Sequence, residues 1–157
     1  GTNYGKQVMT GNWFDTEFVA MRKLWLAGAD IPYPLSGGGG VMVMQFIGDW
    51  DRAAPRLIDA RIEREKAEPL LEQILWNVRL LAREETVHGD LSAYNVLFWE
   101  ERAWIIDFPQ SVNLFHNQYG VEFLLRDIVN VCNFFKRFGI VRDPQEELAL
   151  ALAEAYG

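Results

Sequence analysis

The sequence predicts an α+β fold with helix in the majority. Three observations carry this reading. Four stretches place apolar residues at helical spacing, a short apolar run is partly β-branched, and two short runs flank a tight polar turn near residue 100. The chain has 157 residues, half of them hydrophobic and 13% aromatic, enough for a single sizeable core.

Residues 1–11 hold three glycines and no apolar period, and read as loop. A first helix is predicted over Phe14–Ala27, where Phe14, Phe18, Met21, Leu24 and Trp25 fall on one face. Asn12 or Asp15 caps it and Gly28 ends it. Pro32 and Pro34 mark an extended connector, and the glycine run 37–40 reads as a hairpin turn leading into Val41. Val41–Ile47 then reads as a buried strand, and Asp51–Arg56 as a turn. A second helix is expected over Pro69–Arg83. Leu70, Leu71, Ile74, Leu75, Val78 and Leu81 form its apolar face, and Arg64, Glu68, Glu72 and Arg79 its solvated side. Val96–Trp99 and Ala103–Ile106 form a hairpin joined by Glu100–Arg102. A third helix spans about Val121–Phe138 and closes at Gly139. A last one spans Pro144–Ala155, with Asp143 as cap and proline at the first helical position.

Charge and composition exclude several classes. The net charge is −7 and no Lys/Arg-rich stretch occurs, so a broad nucleic-acid face is not expected. A polyanionic ligand would need a metal as intermediary. The single cysteine, Cys132, excludes an internal disulfide framework and a cysteine-based zinc cluster, which suits a reducing, cytoplasmic compartment. No apolar run approaches the roughly 18 residues of a membrane span. The opening Gly1–Lys6 lacks the layout of a signal peptide.

The chemistry concentrates in His88-Gly89-Asp90-Leu91-Ser92-Ala93-Tyr94-Asn95 and in Ile105-Ile106-Asp107-Phe108. An Asp, an Asn five residues on, and a second Asp after a strand are the parts that phosphoryl transfer from ATP needs. One carboxylate orients the attacking hydroxyl. An amide oxygen and the second carboxylate hold magnesium, which prefers hard oxygen ligands. Singly, each is an ordinary turn residue. In this order and spacing they match the catalytic-loop and metal-site signature of protein-kinase-like folds.

These residues resemble the RIO family of atypical serine/threonine protein kinases, its bacterial members most closely. Asp107-Phe108-Pro109-Gln110 in place of Asp-Phe-Gly carries the resemblance, together with Leu125-Arg126-Asp127-Ile128-Val129-Asn130 and Phe134-Phe135. Ala27-Gly28-Ala29, Ile31–Pro34, Met44–Gly48 and Ala54–Leu57 match as well. The resemblance runs from about Trp13 to the end of the chain. It implies a protein-kinase-like fold, mostly the helical C-lobe with the tail of the N-lobe, divided near residues 47 and 48. It implies Asp90 as catalytic carboxylate, Asn95 and Asp107 as magnesium ligands, and Asp107 also as the acceptor in a phospho-aspartate. Met44 then stands at the back of the adenine pocket, Gln45 and Ile47 offer backbone groups to the adenine edge, and Leu97 packs beneath the base. Glu17 resembles the carboxylate that pairs with a phosphate-binding lysine. Asp127 resembles the buried acid that braces the catalytic loop, with His88 orienting that loop. His116 reads as a surface loop residue.

The sequence also departs from the family pattern. No glycine-rich hairpin or Val-Ala-Ile-Lys-like strand precedes the first helix, Lys6 is the only lysine before Glu17, and the glycine run comes after it. The chain therefore reads as an N-terminally truncated domain, with an exposed sheet edge that invites a second copy. Only 20 positions separate Asp107 from Asp127 and no Ala-Pro-Glu follows, which favours an ATPase or switch over a peptide-substrate platform. Partners implied by resemblance are ATP, magnesium, a protein substrate or the chain itself, and the family's link to small-subunit ribosome maturation. Two alternatives stand beside this reading. One is a small-molecule phosphotransferase of aminoglycoside or choline type, which shares the His-Gly-Asp and Asn pattern. The other is an inactive nucleotide-binding scaffold.

Overall fold

The computed structural model describes residues 16–157. Lys6, Asn12, Trp13, Phe14 and Asp15 lie outside the described residues. The first helix, α1, is seen over 16–26 and buries Met21 and Leu24. Its end is a Schellman motif: Ala29 N–H donates to the Leu24 carbonyl and Gly28 N–H to that of Trp25, both at 3.0 Å, with Gly28 at φ +103°.

Two strands follow, β1 (Pro34–Gly38) and β2 (Val41–Met44), paired antiparallel. Gly39 and Gly40 turn the hairpin at φ +60° and +82°. Two successive positive φ values explain why glycines stand there, as the sequence predicts. Two expectations need correction. Pro34 opens a strand rather than a connector. The buried strand predicted over Val41–Ile47 stops at Met44, and Val41, Val43 and Met44 are exposed. Among the described residues β2 pairs with β1 alone, so its apolar character does not translate into burial. A second small hairpin, β3 (Gly48–Asp49) and β4 (Arg52–Ala53), occupies the predicted turn.

The central element is α2 (Arg64–Arg83). It begins five residues before the predicted start at Pro69. That proline is the sixth residue of the helix and removes one bond, to the Glu65 carbonyl, while the apolar stripe reaches back to the fully buried Ala67 and holds the first turns in place. Leu71, Ile74 and Ala82 are also fully buried, and α3 (Gly120–Phe135) and α4 (Pro144–Tyr156) pack on the same helix. The third helix ends at Phe135, not Phe138. A 3-10 turn, Lys136–Phe138, completes it before Gly139 at φ +77°. Asp143 caps α4 as predicted, accepting from Gln145 N–H at 2.9 Å. Arg142 ties α4 to α2 through Glu68, Glu72 and Glu147, and the first two hold its guanidinium above the ordinary arginine range.

Between α2 and α3 lie β5 (Thr86–Val87), β6 (Val96–Trp99), β7 (Arg102–Ile105) and β8 (Val112–Asn113). The β6–β7 hairpin has the predicted pairing, but its turn has two residues, Glu100 and Glu101, because Arg102 pairs with Trp99. The β5–β8 pair was not legible in sequence, since each strand has two residues. It brackets the whole stretch from His88 to Ser111 and brings its ends together.

A polar network fixes β7 to α2. Gln73 Oε1 accepts from Ala103 N–H at 2.8 Å, and Gln73 Nε2 donates to the Ala103 carbonyl and to Asp30 Oδ2, each at 3.0 Å. Asn77, fully buried, accepts from Asp30 N–H and donates to Asp30 Oδ2, at 2.8 and 2.9 Å. Asp30 in turn accepts Ile105 N–H at its carbonyl, at 2.9 Å. The end of β7, and with it Asp107, is therefore held against the end of α1.

Glu100 and Glu101 sit at φ +51° and +62°, a region costly for residues with a Cβ. Replacing Glu101 with glycine is expected to raise the unfolding free energy by about 0.5–1 kcal/mol, as strain relief outweighs glycine's entropy cost. The exposed Lys66–Glu101 pair, lost in the process, contributes little. Urea denaturation of Glu101→Gly against the parent checks this.

Candidate active site

Residues 88–95 form a loop between β5 and β6 with no ladder of its own. Side chains hold it instead. Asp127, on α3 and 1% exposed, accepts Gly89 N–H at Oδ2 (2.9 Å) and Leu91 N–H at Oδ1 (3.0 Å). Burial pushes its carboxyl up from the usual range, while the two N–H donors and the charge of Arg126 pull it back. His88 is buried beneath the loop. Its Nε2 lies 2.8 Å from the Ile106 carbonyl, which only accepts, so Nε2 carries the hydrogen and Nδ1 accepts Asp90 N–H at 3.1 Å. Both ring nitrogens are used in fixing backbone, as expected for an orienting residue.

Gly89 has a steric reason. At φ +87°, a Cβ there would lie 2.4 Å from the Gln110 carbonyl oxygen. The Pro109-Gln110 segment thus packs directly on the loop, which joins the two halves of the motif.

The structure brings Asp90 and Asn95 into contact. Asn95 Nδ2 donates to the Asp90 carbonyl at 2.8 Å and to Asp90 Oδ2 at 3.2 Å. With the amide nitrogen so engaged, Asn95 Oδ1 is its remaining polar atom, and it is a hard oxygen. Ile106 N–H donates to the Asn95 carbonyl at 3.0 Å, and the next residue is Asp107, exposed and at φ +65°. Asp90 and Asn95 share direct contacts, and one backbone bond links Asn95 to the segment carrying Asp107. An amide oxygen and an exposed carboxylate are the hard-oxygen donors that magnesium prefers, and it keeps part of its water shell.

Glu17, on α1, feels Asp107. Burial pushes the Glu17 carboxyl above its usual range, and the charge of Asp107 pushes it further. A groove of about 400 Å³ opens between α1 and the Phe108–Asn113 segment, lined by Glu17, Lys23, Glu84, Phe108, Pro109 and Ser111 among others. It does not include Asp90 or Asn95. Lys23, which lines the same groove, donates to the Glu84 carbonyl at 3.3 Å.

The remaining candidates lie along the hinge. Met44 is 39% exposed at the end of β2, and Ile47 is buried at 6%. Gln45 N–H donates to the Tyr33 carbonyl at 2.8 Å, and the Ile47 carbonyl accepts Ala54 N–H at 3.0 Å. Leu97 is partly exposed, paired across the ladder with Trp104 and bridged to Arg56. His116 lies exposed in the loop after β8, as the sequence predicts. Sequence reasoning missed Asp30, Gln73 and Asn77. The signal was there: two amide side chains four residues apart beside an otherwise apolar helix face.

A helical lobe around α2, a buried loop held by side chains, and an exposed Asp after a hairpin define a protein-kinase-like domain. The family is now shown directly: a RIO domain model matches residues 2–148, and the chain belongs to the RIO family. It is 36% identical over 134 residues to the RIO-type serine/threonine-protein kinase Rio1 of Thermoplasma acidophilum, covering 85% of this chain and 69% of that protein. It is also 36% identical over 133 residues to the serine/threonine-protein kinase RIO1 of Caenorhabditis elegans and over 131 residues to the Rio1 kinase of Haloferax volcanii. These matches cover 84% and 83% of this chain but 26% and 44% of those proteins, so the chain spans a minor part of each. No helix among the described residues is long and apolar enough to cross a membrane.

Two outcomes follow from this geometry. Asp107→Asn removes a neighbouring negative charge, so the Glu17 pKa should fall in a carboxyl-detected NMR titration, though burial keeps it above the ordinary value. Asp127→Ala leaves the Gly89 and Leu91 N–H groups without acceptors, and should cost about 2–4 kcal/mol in thermal or chemical unfolding.

Proposed function

We propose that this chain carries out ATP- and magnesium-dependent phosphoryl transfer to a serine or threonine hydroxyl, in a protein substrate or in itself. The observation that carries this reading is the contact of Asp90 with Asn95, together with the bond that ties Asn95 to the strand end before Asp107. In this reading Asp90 is the catalytic carboxylate. It orients the hydroxyl and takes its proton as the oxygen attacks the γ-phosphorus and the bond to the ADP oxygen breaks. Asn95 Oδ1 and Asp107 would hold magnesium, which neutralises phosphate charge when bound. Such a cation reconciles ATP with a chain of net charge −7. It also offsets the repulsion between Asp107 and Glu17.

The hinge supports the nucleotide part of the proposal. The bonds there use Gln45 N–H and the Ile47 carbonyl. The Gln45 carbonyl and Ile47 N–H remain as an acceptor and a donor for the adenine edge, with Met44 behind and Leu97 beneath. Asp107 is also the candidate acceptor in a phospho-aspartate, its oxygen displacing ADP from the γ-phosphorus. The exposed β2 supports pairing with a second copy. A monomer in light scattering at micromolar concentration would remove that part alone. The link to small-subunit ribosome maturation rests on the family resemblance.

Calorimetric titration with ATP and magnesium tests the reading. Binding should require magnesium and be lost in Asp107→Asn. Asp90→Asn should keep binding and lose turnover by about 10²–10⁴-fold, the usual range for a general acid–base group. Magnesium-independent binding, or an Asp90→Asn variant with full turnover, would overturn it.

A further inference from the structure

The loop around Asp90 is held by more of α3 than Asp127. Arg126 Nη2 donates to the Gly89 carbonyl. Asn130 Nδ2 donates to the Leu91 carbonyl at 3.2 Å. Together with the two Asp127 bonds, the N–H and the carbonyl of both Gly89 and Leu91 are bound by one helix. Arg126, Asp127 and Asn130 lie within about 100° of arc at 3.6 residues per turn, so one helix face presents all four partners. The two backbone groups of Asp90 itself are taken by His88 Nδ1 and Asn95 Nδ2. Every backbone polar group from Gly89 to Leu91 is therefore bonded to a side chain.

We infer that Arg126 and Asn130 are positioning residues for the Asp90 carboxylate, closing a four-bond clamp on the two residues that flank it. This rests on the reading of Asp90 as the catalytic carboxylate. The Gly89 carbonyl lies in the peptide plane that precedes Asp90, and Arg126 holds it; Asp127 holds the plane that follows through Leu91 N–H, and Asn130 fixes Leu91 at its oxygen end, which Asp127, binding only N–H groups, does not reach. The direction of the Asp90 side chain follows from those planes. Small misplacements of a catalytic group are costly in rate while leaving nucleotide binding intact. Arg126 is itself set in place: its guanidinium carbon lies 4.8 Å from the Phe123 ring centroid, one turn earlier on the helix. Both side chains reach solvent, so neither is needed to fill the core.

The test uses the whole chain with Arg126→Met, Arg126→Lys and Asn130→Ala, and reads amide hydrogen exchange beside kinetics. Arg126→Met keeps the stem over Phe123 and removes the donor, while Arg126→Lys keeps a donor and the charge. Exchange at residues 88–95 should rise about tenfold or more in Arg126→Met and Asn130→Ala, with the α2 amides unchanged. Turnover should fall about 10–100-fold with the KM for ATP moving less than about threefold, and Arg126→Lys should recover most of it. Unchanged exchange at 88–95 would overturn the clamp. So would a rise shared by α2, which marks a merely structural role, or an effect confined to KM. Asp90→Asn run alongside separates the two ideas. Full turnover there sinks the reading of Asp90, and the exchange result still decides whether the clamp holds the loop.

Discussion

A buried loop without regular secondary structure cannot satisfy its own backbone. Residues 88–95 have neither helix nor ladder bonds, yet His88, Gly89 and Leu91 are buried, where an unpaired N–H or carbonyl costs about 1–3 kcal/mol. The Asp127 carboxylate answers the largest part of this by accepting two N–H groups with two oxygens. A carboxylate in that position is itself costly to bury, and the two donors repay this by solvating it. The loop needs the acid and the acid needs the loop. His88 extends the arrangement to the Ile106 carbonyl, so the position of the second aspartate is coupled to the first.

That arrangement works only if α3 and β7 are fixed relative to each other, and α2 does this. Its apolar face buries α3 and α4, and its polar edge, Gln73 and Asn77, grips Ala103 and Asp30. Buried amides of this kind are stable only when nearly every donor and acceptor is matched, and here Asn77 uses both its oxygen and its nitrogen. The same network reaches the end of α1, so Glu17 is carried to the neighbourhood of Asp107 by chain geometry and not by attraction. The two carboxylates repel. Their proximity is sustained by packing.

Much of this was legible before any coordinates. The motif from His88 to Asn95 and the Asp-Phe-Pro-Gln sequence are local and dense in unusual residue types, so their class could be read directly. The helices α2, α3 and α4 announce themselves through apolar period and caps. Pro69 misled the start of α2 because a proline at a helix start is read as the first helical position, whereas burial of Ala67 and Leu70 carries the helix one turn further back despite the bond that Pro69 removes. Val41–Met44 misled differently: apolar β-branched residues specify a strand, but burial depends on what stands beside it.

By itself the sequence determined the helical stripes, the hairpin turns at Gly39-Gly40 and near Glu100, and the motifs that place the chain in its family. Each of these depends on neighbours within a few positions. Tertiary structure alone decided that Gln73 holds β7, that β5 pairs with β8, that Arg126 and Asn130 reach the Gly89 and Leu91 carbonyls, and that Glu17 comes within electrostatic reach of Asp107. Those contacts join positions far apart in the chain, where no periodicity or spacing rule encodes the partner. They form only once packing around α2 has brought the segments together.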